Sequence, residues 1–226
     1  MTTQLDIGDI LLLKDRVYNT IKTQIILGKY KPGDKLNIVD IAGRMNISCA
    51  PVREALSMLS KDGLVSLPPH KKPFVTEPNV DDWAVSMEIR QLLEPYVARL
   101  SAEKVPQEDI DEVRAKQMRV LDDPDDMAAY VDSDMALHRL LYEYADSELI
   151  SEILGMVKTS TLRVRYAIER ALEEAPEKRR EVRLASTHEH IAILDAIESR
   201  APQLAYDAVH RHIACCIERE SMYQGF

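Results

Sequence analysis

Four prolines, Pro68, Pro69, Pro73 and Pro78, fall within a dozen residues near the first third of the chain. Proline lacks a backbone N–H and clashes with the preceding turn, so no continuous helix can cross this stretch. The 226 residues therefore divide into a small module, 1–78, and a larger one, 79–226. The halves also differ in charge: the first carries 11 Lys/Arg and 8 Asp/Glu, the second 18 and 30. The overall net charge of −9 alone would argue against a nucleic-acid partner. It is the average of a module at +3 and one at −12, so the sign must be read module by module. Only 7 glycines occur, about half the usual ~7% share, and Leu, Ile, Ala, Glu and Arg abound, which implies a mostly helical chain. With 46% hydrophobic and 30% charged residues, a disordered chain is excluded. No apolar run approaches the ~18 residues of a membrane span, and no basic segment precedes an apolar core at the N-terminus, so a cytoplasmic protein with no membrane partner is expected. Cys49, Cys215 and Cys216 cannot build a disulfide framework, in keeping with a reducing compartment.

In the first module Leu13, Val17, Ile21 and Ile25 recur every four residues and predict an amphipathic helix closed by Gly28. Lys31-Pro32-Gly33-Asp34 reads as a turn, with proline presetting one position and glycine supplying positive φ at the next. Ile38, Ile41, Ala42 and Met45 predict a second, short helix capped by Asn37 and ended by Asn46. A third helix follows with Ser48 as N-cap and Val52, Ala55, Leu56 and Leu59 as its buried stripe. The apolar runs 64–67 and 74–76 flank Pro68-Pro69-His70-Lys71-Lys72 and predict a hairpin with a basic tip. Two helices on a three-residue turn followed by such a hairpin describe a winged helix-turn-helix, in which the last helix offers its N-terminal residues to the major groove. The same elements would also suit an ordinary interaction domain, with Arg53 a plain surface charge.

The run Pro32-Gly33-Asp34-Lys35-Leu36, Ile41-Ala42, Ser48-Cys49-Ala50-Pro51-Val52-Arg53-Glu54-Ala55-Leu56, Leu59 and Asp62-Gly63-Leu64-Val65 closely resembles the GntR family of bacterial transcription regulators, in particular its FadR/FCD subfamily. The resemblance implies binding to double-stranded operator DNA. It places Ser48, Ala50 and Arg53 in the recognition helix and His70, Lys71 and Lys72 in the wing. The chain departs from the family at Cys49, where arginine is usual, and near Val39. Arginine reads guanine bidentately, so these departures point to a different operator sequence.

The second module shows helical periodicity throughout. Val85, Ile89, Leu92, Leu93, Tyr96, Val97 and Leu100 suggest one long helix, Ile110, Val113, Gln117 and Val120 another, and Ile153, Val157, Ser160, Val164, Ile168 and Leu172 a third. Turn signals at Val105-Pro106, 122–125, Ala175-Pro176 and Ala201-Pro202 predict an antiparallel bundle of six or seven helices. A further helix, 125–145, places Met127, Val131, Asp134, His138, Leu141 and Ala145 on one face. An aspartate and a histidine thus interrupt an apolar stripe, and a buried carboxylate needs a partner. Of the His188/His190 pair, His190 shares a face with Ile193, Leu194 and Ile197. Periodicity leaves the choice between His210 and His212 open. One Asp and three His on three helices could hold a divalent transition metal such as Zn, Mn or Ni. Equally, Asp134 and His138 could form a buried ion pair with unrelated surface histidines.

Asp134-x3-His138, Glu189-His190-x2-Ile193 with Asp195-Ala196-Ile197, and Ala208-Val209-x2-His212-Ile213 resemble the ligand-binding FCD domain. The resemblance implies an all-helical effector and dimerisation domain with metal held by Asp134, His138, His190 and His212, and a small carboxylate metabolite bound beside it. Arg90 matches a family arginine, and Arg163, Arg165 and Arg183 are further candidates for the effector site. The fold expected is mostly α, a winged helix-turn-helix followed by an antiparallel bundle. The function expected is a metabolite-responsive regulator, a homodimeric repressor by default and not an enzyme. Two other readings compete: a metal-dependent hydrolase built on the Asp/His3 site, and a structural helical adaptor.

Overall fold

The computed structural model describes residues 7–77 and 80–222 and divides into two compact units, 1–78 and 79–226. Pro78 and Asn79, where the two modules meet, lie outside the described residues.

The first unit consists of α1 (Ile7–Ile26), α2 (Ile38–Met45), α3 (Cys49–Lys61), β1 (Val65–Ser66) and β2 (Phe74–Val75). Gly28 takes φ 71° just after α1, and Gly33 takes φ 85° in the turn, where the Asp34 N–H donates to the Lys31 carbonyl. Only glycine adopts those angles without strain. Asn37 caps α2 by accepting from the Val39 N–H at 3.1 Å, and Asn46 ends it in the left-handed region at φ 53°. Ser48 stands at the N-cap of α3, yet its hydroxyl makes no capping bond. Val17, Ile21, Ile25, Leu36, Ile41, Val52, Leu56, Leu59, Leu64 and Val75 form one core. The hairpin is shorter than the apolar runs suggest, with Val65 opposite Val75 and Ser66 opposite Phe74. A third edge supports it: Leu36 N–H donates to the Pro73 carbonyl and Val75 N–H to the Asp34 carbonyl. His70, at φ 60°, Lys71 and Lys72 stand exposed at its tip.

Among the described residues the second unit has six helices: α4 (Val80–Ser101), α5 (Gln107–Asp122), α6 (Met127–Glu143), α7 (Glu148–Ala171), α8 (Pro176–Glu198) and α9 (Pro202–Ser221). Asp126 caps α6 by accepting from the Ala128 and Ala129 N–H groups, while Pro176 and Pro202 open α8 and α9 at positions where their missing N–H costs nothing. α4 packs against α9 and α7, α8 against α9, and α5 against α6 and α8. The α5 and α6 stripes face inward as expected, apart from half-buried Met127.

α4 differs from expectation. Val85, Leu92 and Tyr96 face outward, Leu92 being 74% exposed, whereas Trp83, Met87, Arg90, Glu94, Val97 and Ala98 are buried. The helix has a second periodic face, and two charged side chains on it hid its inward orientation. On α7, Ile153 is likewise turned out, and Leu154, Lys158, Thr161 and Arg165 are buried.

Leu59 is fully buried in the first core. Leu59→Ala is expected to destabilise that unit by about 2–5 kcal/mol, the usual cost of an unfilled core site. Urea denaturation followed by circular dichroism checks this; a change below ~1 kcal/mol would contradict the core assignment.

Candidate functional site

α6 carries Asp134 and His138 one turn apart, which aims both along the same inward face. α8 brings in His190 and α9 brings in His212, and all four side chains are buried. Ring centroids lie 4.7 Å apart for His190 and His212, 5.6 Å for His138 and His212, and 5.8 Å for His138 and His190. One ligand atom from each imidazole lies within 4.8 Å of the others. Asp134 Oδ1 is 3.8 Å from both His138 Nε2 and His190 Nε2. Ligands bound at ~2.0–2.2 Å to one ion stand no more than ~4.4 Å apart, so the two 3.8 Å separations suit a shared cation. By contrast His188 and His210 are exposed, and Tyr206 stacks on His210.

The rings are oriented from behind. His138 Nδ1 is 2.9 Å from Glu94 Oε2, His190 Nδ1 is 3.3 Å from Gln117 Oε1, and His212 Nδ1 is 2.9 Å from Glu189 Oε2. An acceptor behind each Nδ1 leaves Nε2 for the centre, the arrangement that fixes the tautomer of metal-ligating histidines. Gln117 is held in turn by donating to the Ser133 carbonyl at 2.9 Å, and Glu189 by both arms of Arg219.

Asp134 Oδ2, His138 Nδ1, Lys158 Nζ and His190 Nε2 are buried without a well-aligned hydrogen-bond partner, four of the six such atoms among the described residues. Their short contacts to Glu94 and Asp134 fall outside the alignment that a hydrogen bond requires. An unsatisfied buried polar atom costs ~1–3 kcal/mol, so His190 Nε2, which faces the centre without a hydrogen-bond partner, marks a place for an occupant. Three neutral imidazoles and a carboxylate form a donor set that fits a divalent transition metal.

A cationic wall surrounds this centre. Arg165 donates from Nη1 to Asp134 Oδ1 at 2.6 Å and from Nε to Glu220 Oε1 at 2.8 Å. Lys158 Nζ lies 2.8 Å from Asp134 Oδ2. Arg90 grips Glu94 with both arms, at 2.6 and 3.3 Å, and Tyr142 donates to the same carboxylate. Arg183 points elsewhere: it binds Glu169 with two arms, donates to the Pro124 carbonyl and lies over Tyr130. Arg163, two residues before Arg165, points roughly 200° away around α7 and is half-buried. Of the four arginines expected at an effector site, Arg90 and Arg165 adjoin the centre.

Electrostatics follow from this packing. Burial would raise the Asp134 carboxyl, but Lys158 and Arg165 hold it well below the usual carboxylate range. Burial likewise opposes ionisation of Glu94, and Arg90 and His138 outweigh it. Burial, with Lys158 nearby, drives His138 down to about 3, and burial with His212 lowers His190. His212 goes the other way: burial is overcome by Cys216 and Glu189, which raise it. Burial lowers Lys158 to about 8. The thiol of Cys216, 3.7 Å from His212 Nε2, is raised by burial but brought down to about 7 by His212 and Arg165.

Glu94, Gln117, Lys158, Glu220 and Cys216 therefore belong to this site and were not singled out by motif, and Glu189, part of the motif with His190, had been given no role. Gln117 did leave a signal, a polar residue within an apolar stripe. So did Lys158, Thr161, Arg165 and Glu169, which recur at helical spacing on α7.

In the first unit Ser48, Ala50 and Arg53 are exposed on the opening turns of α3, and Cys49 is half-buried against the core. Val39 is exposed on α2. An exposed helix start and a basic hairpin tip thus lie on one small unit.

Residues 13–75 match the gntR family of bacterial regulatory proteins, and residues 86–214 match the FCD domain. The chain belongs to the GntR family, with an FCD domain. Similar proteins include the HTH-type transcriptional repressor RspR of Escherichia coli K12, 25% identical over 168 residues and covering 74% of each chain. The HTH-type transcriptional regulator LutR of Bacillus subtilis is 29% identical over 153 residues, covering 60% of this chain and 69% of its own. The galactonate operon transcriptional repressor of E. coli K12 is 23% identical over 226 residues, covering 91% and 95%. Among solved structures, E. coli McbR/YncC superposes with a TM-score of 0.78 at 19% identity, covering 94% of this chain and 99% of that one. A GntR regulator of Rhodococcus sp. RHA1 gives 0.70 at 21% identity, covering 94% and 97%. This GntR protein is thus a DNA-binding transcription regulator with the mostly helical, winged helix-turn-helix plus bundle fold expected of it. The hydrolase reading gives way, because the family and these relatives are regulators of transcription and not enzymes. No described helix is long and apolar enough to cross a membrane.

His138 and His190 are lowered in the folded state, so the unfolded chain takes up their protons first. Their contribution to stability is complete above the free-histidine pKa of ~6.5 and is lost as pH falls below it, by up to ~1.4 kcal/mol per pH unit for each group. His212, being raised, loses its contribution only as pH rises. In chelator-treated protein the urea midpoint is expected to drop between pH 6.5 and 5, and His188→Gln should leave that drop unchanged. A midpoint flat across this range would refute the buried, neutral state of the two rings.

Proposed function

We propose that this regulator is a metal-containing, effector-responsive repressor acting as a homodimer on operator DNA in the cytoplasm. Ser48, Ala50 and Arg53 would read the major groove, with His70, Lys71 and Lys72 on the adjoining backbone. Asp134, His138, His190 and His212 would hold a divalent ion such as Zn, Mn or Ni. The observation that carries this reading is the convergence of three buried histidines on one buried carboxylate, with His190 Nε2 left without a hydrogen-bond partner among them. When bound, the ion would supply a Lewis-acidic anchor for a small carboxylate metabolite. Arg90 and Arg165 line the same centre and favour an anion there, while Arg163 and Arg183 remain the outer candidates.

An outward apolar face supports the second copy. Val85, Leu92 and Tyr96 on α4 and Leu149, Ile153 and Met156 on α7 are exposed at helical spacing, on two helices that pack together. Two copies joined there would present two recognition helices to a pseudo-palindromic site. A ligand that favours one placement of those helices would change operator affinity, and the operator would change ligand affinity by the same factor.

Two measurements test this. In gel-shift assays on the DNA flanking its own gene, Arg53→Ala is expected to weaken binding by about 1–3 kcal/mol. Lys71→Ala with Lys72→Ala should lower the slope of log affinity against log salt by ~1–2. A wild-type protein binding no flanking DNA at low salt would overturn the operator reading. In elemental analysis, His138→Ala and His212→Ala should lose bound metal, whereas His188→Ala and His210→Ala keep it. Stoichiometric metal in all four variants would overturn the ligand assignment.

A further inference from the structure

Leaving the Cys216 thiol and the imidazoles aside, the full charges around the centre balance before any ion enters. The contact network joins four cations, Arg90, Lys158, Arg165 and Arg219, to four carboxylates, Glu94, Asp134, Glu189 and Glu220. With neutral imidazoles, a divalent ion added here leaves two positive charges uncompensated in a buried, weakly screening environment. It also competes for a carboxylate that is already in use, since Asp134 is shared by Arg165 at Oδ1 and Lys158 at Oδ2.

The four cations are not equally free to respond. Arg90 has two arms on Glu94, and Arg219 has two arms on Glu189. Arg165 keeps its Nε on Glu220, so only its Nη1 depends on Asp134. Asp134 supplies the only ion pair of Lys158 among the described residues, and the Lys158 ammonium is 94% buried and poorly aligned with it. A metal that takes Asp134 draws charge from the carboxylate that two adjacent donors on α7, Lys158 Nζ and Arg165 Nη1, share, and so weakens its hold on both beside two uncompensated positive charges.

We propose that Lys158 and Arg165 exchange between Asp134 and a small dianionic dicarboxylate, so that the metal and the dianion bind this site as a coupled pair. The inference rests on the metal site proposed above and adds the valence of the effector and the residue that selects it. One carboxylate satisfies the ion, and the second satisfies the two loosened donors. A monocarboxylate leaves one positive charge unmatched. Without metal the donors stay on Asp134 and the dianion has no receptor.

Isothermal titration of the full-length protein tests this, with malonate and succinate as dianions and acetate as the monoanion at matched ionic strength. Zinc-loaded protein is expected to bind at least one dianion tenfold or more tighter than acetate, and tenfold or more tighter than chelator-stripped protein does. Lys158→Met should retain one zinc per chain by elemental analysis but lose the preference for dianion over acetate, and Lys158→Arg should keep it. Equal affinities for dianion and acetate in zinc-loaded wild type, or a preference unchanged by Lys158→Met, would overturn the proposal while leaving the metal site intact. Failure of the wild type to take up zinc would overturn both. Should Lys158→Met fail to fold by circular dichroism, the comparison of loaded with stripped wild type decides.

Discussion

The second unit is organised around a carboxylate that cannot stand alone. Asp134 lies at the centre of a six-helix bundle, where an unpaired charge would cost several kcal/mol. Arg165 and Lys158 from α7 meet it directly, and His138 and His190 face it from α6 and α8. Each of those groups needs its own partner, which brings in Glu220, Glu94 and Gln117. The requirement passes outward until Trp83 and Tyr142 close it by donating to Glu220 and Glu94. A buried polar network of this kind specifies one arrangement of helices, because a shifted register would leave several charges unmatched at once.

That network also explains why α4 turns an unexpected face inward and why α7 buries charged residues beside its expected stripe of Val157, Val164, Ile168 and Leu172. Both helices carry enough leucine, isoleucine and valine to suggest an ordinary apolar stripe facing the core. Arg90 and Glu94 on α4, and Lys158 and Arg165 on α7, instead claim the interior because their partners are there. The apolar residues left on the other side, Val85, Leu92 and Tyr96 on α4 and Leu149, Ile153 and Met156 on α7, are exposed. A polar interior and an apolar exterior on the same helices are thus two consequences of one site.

The winged unit was legible almost residue by residue. Its turns use Gly28, Gly33, Asn37 and Asn46 in the roles that short-range backbone sterics and capping assign to them, and its core residues sit at helical spacing. Local rules decide such a structure because each of its elements is short and amphipathic. Asp134, His138 and His190 were also legible, since each stands on a face otherwise apolar. Glu94 and Glu220 were not, and Lys158 was marked only by its helical spacing with Thr161, Arg165 and Glu169, because a charged residue on a helix is solvated far more often than buried. Nothing local marks which charge has a partner three helices away.

The sequence by itself determined two modules of opposite charge, the helical class, the winged helix-turn-helix with its basic hairpin, and an aspartate–histidine pair lodged in a core face. Those follow from proline sterics, hydrophobic periodicity and short-range capping, which act within a few residues. Tertiary structure alone decided that Arg165 adjoins the centre while Arg183 binds Glu169, and that Lys158 lies buried against Asp134; it also buries His212 and leaves His210 exposed, a choice that periodicity left open and the resemblance made. These choices depend on pairing between helices far apart in the chain, and burial makes such pairing strong enough to override the pattern along any one helix.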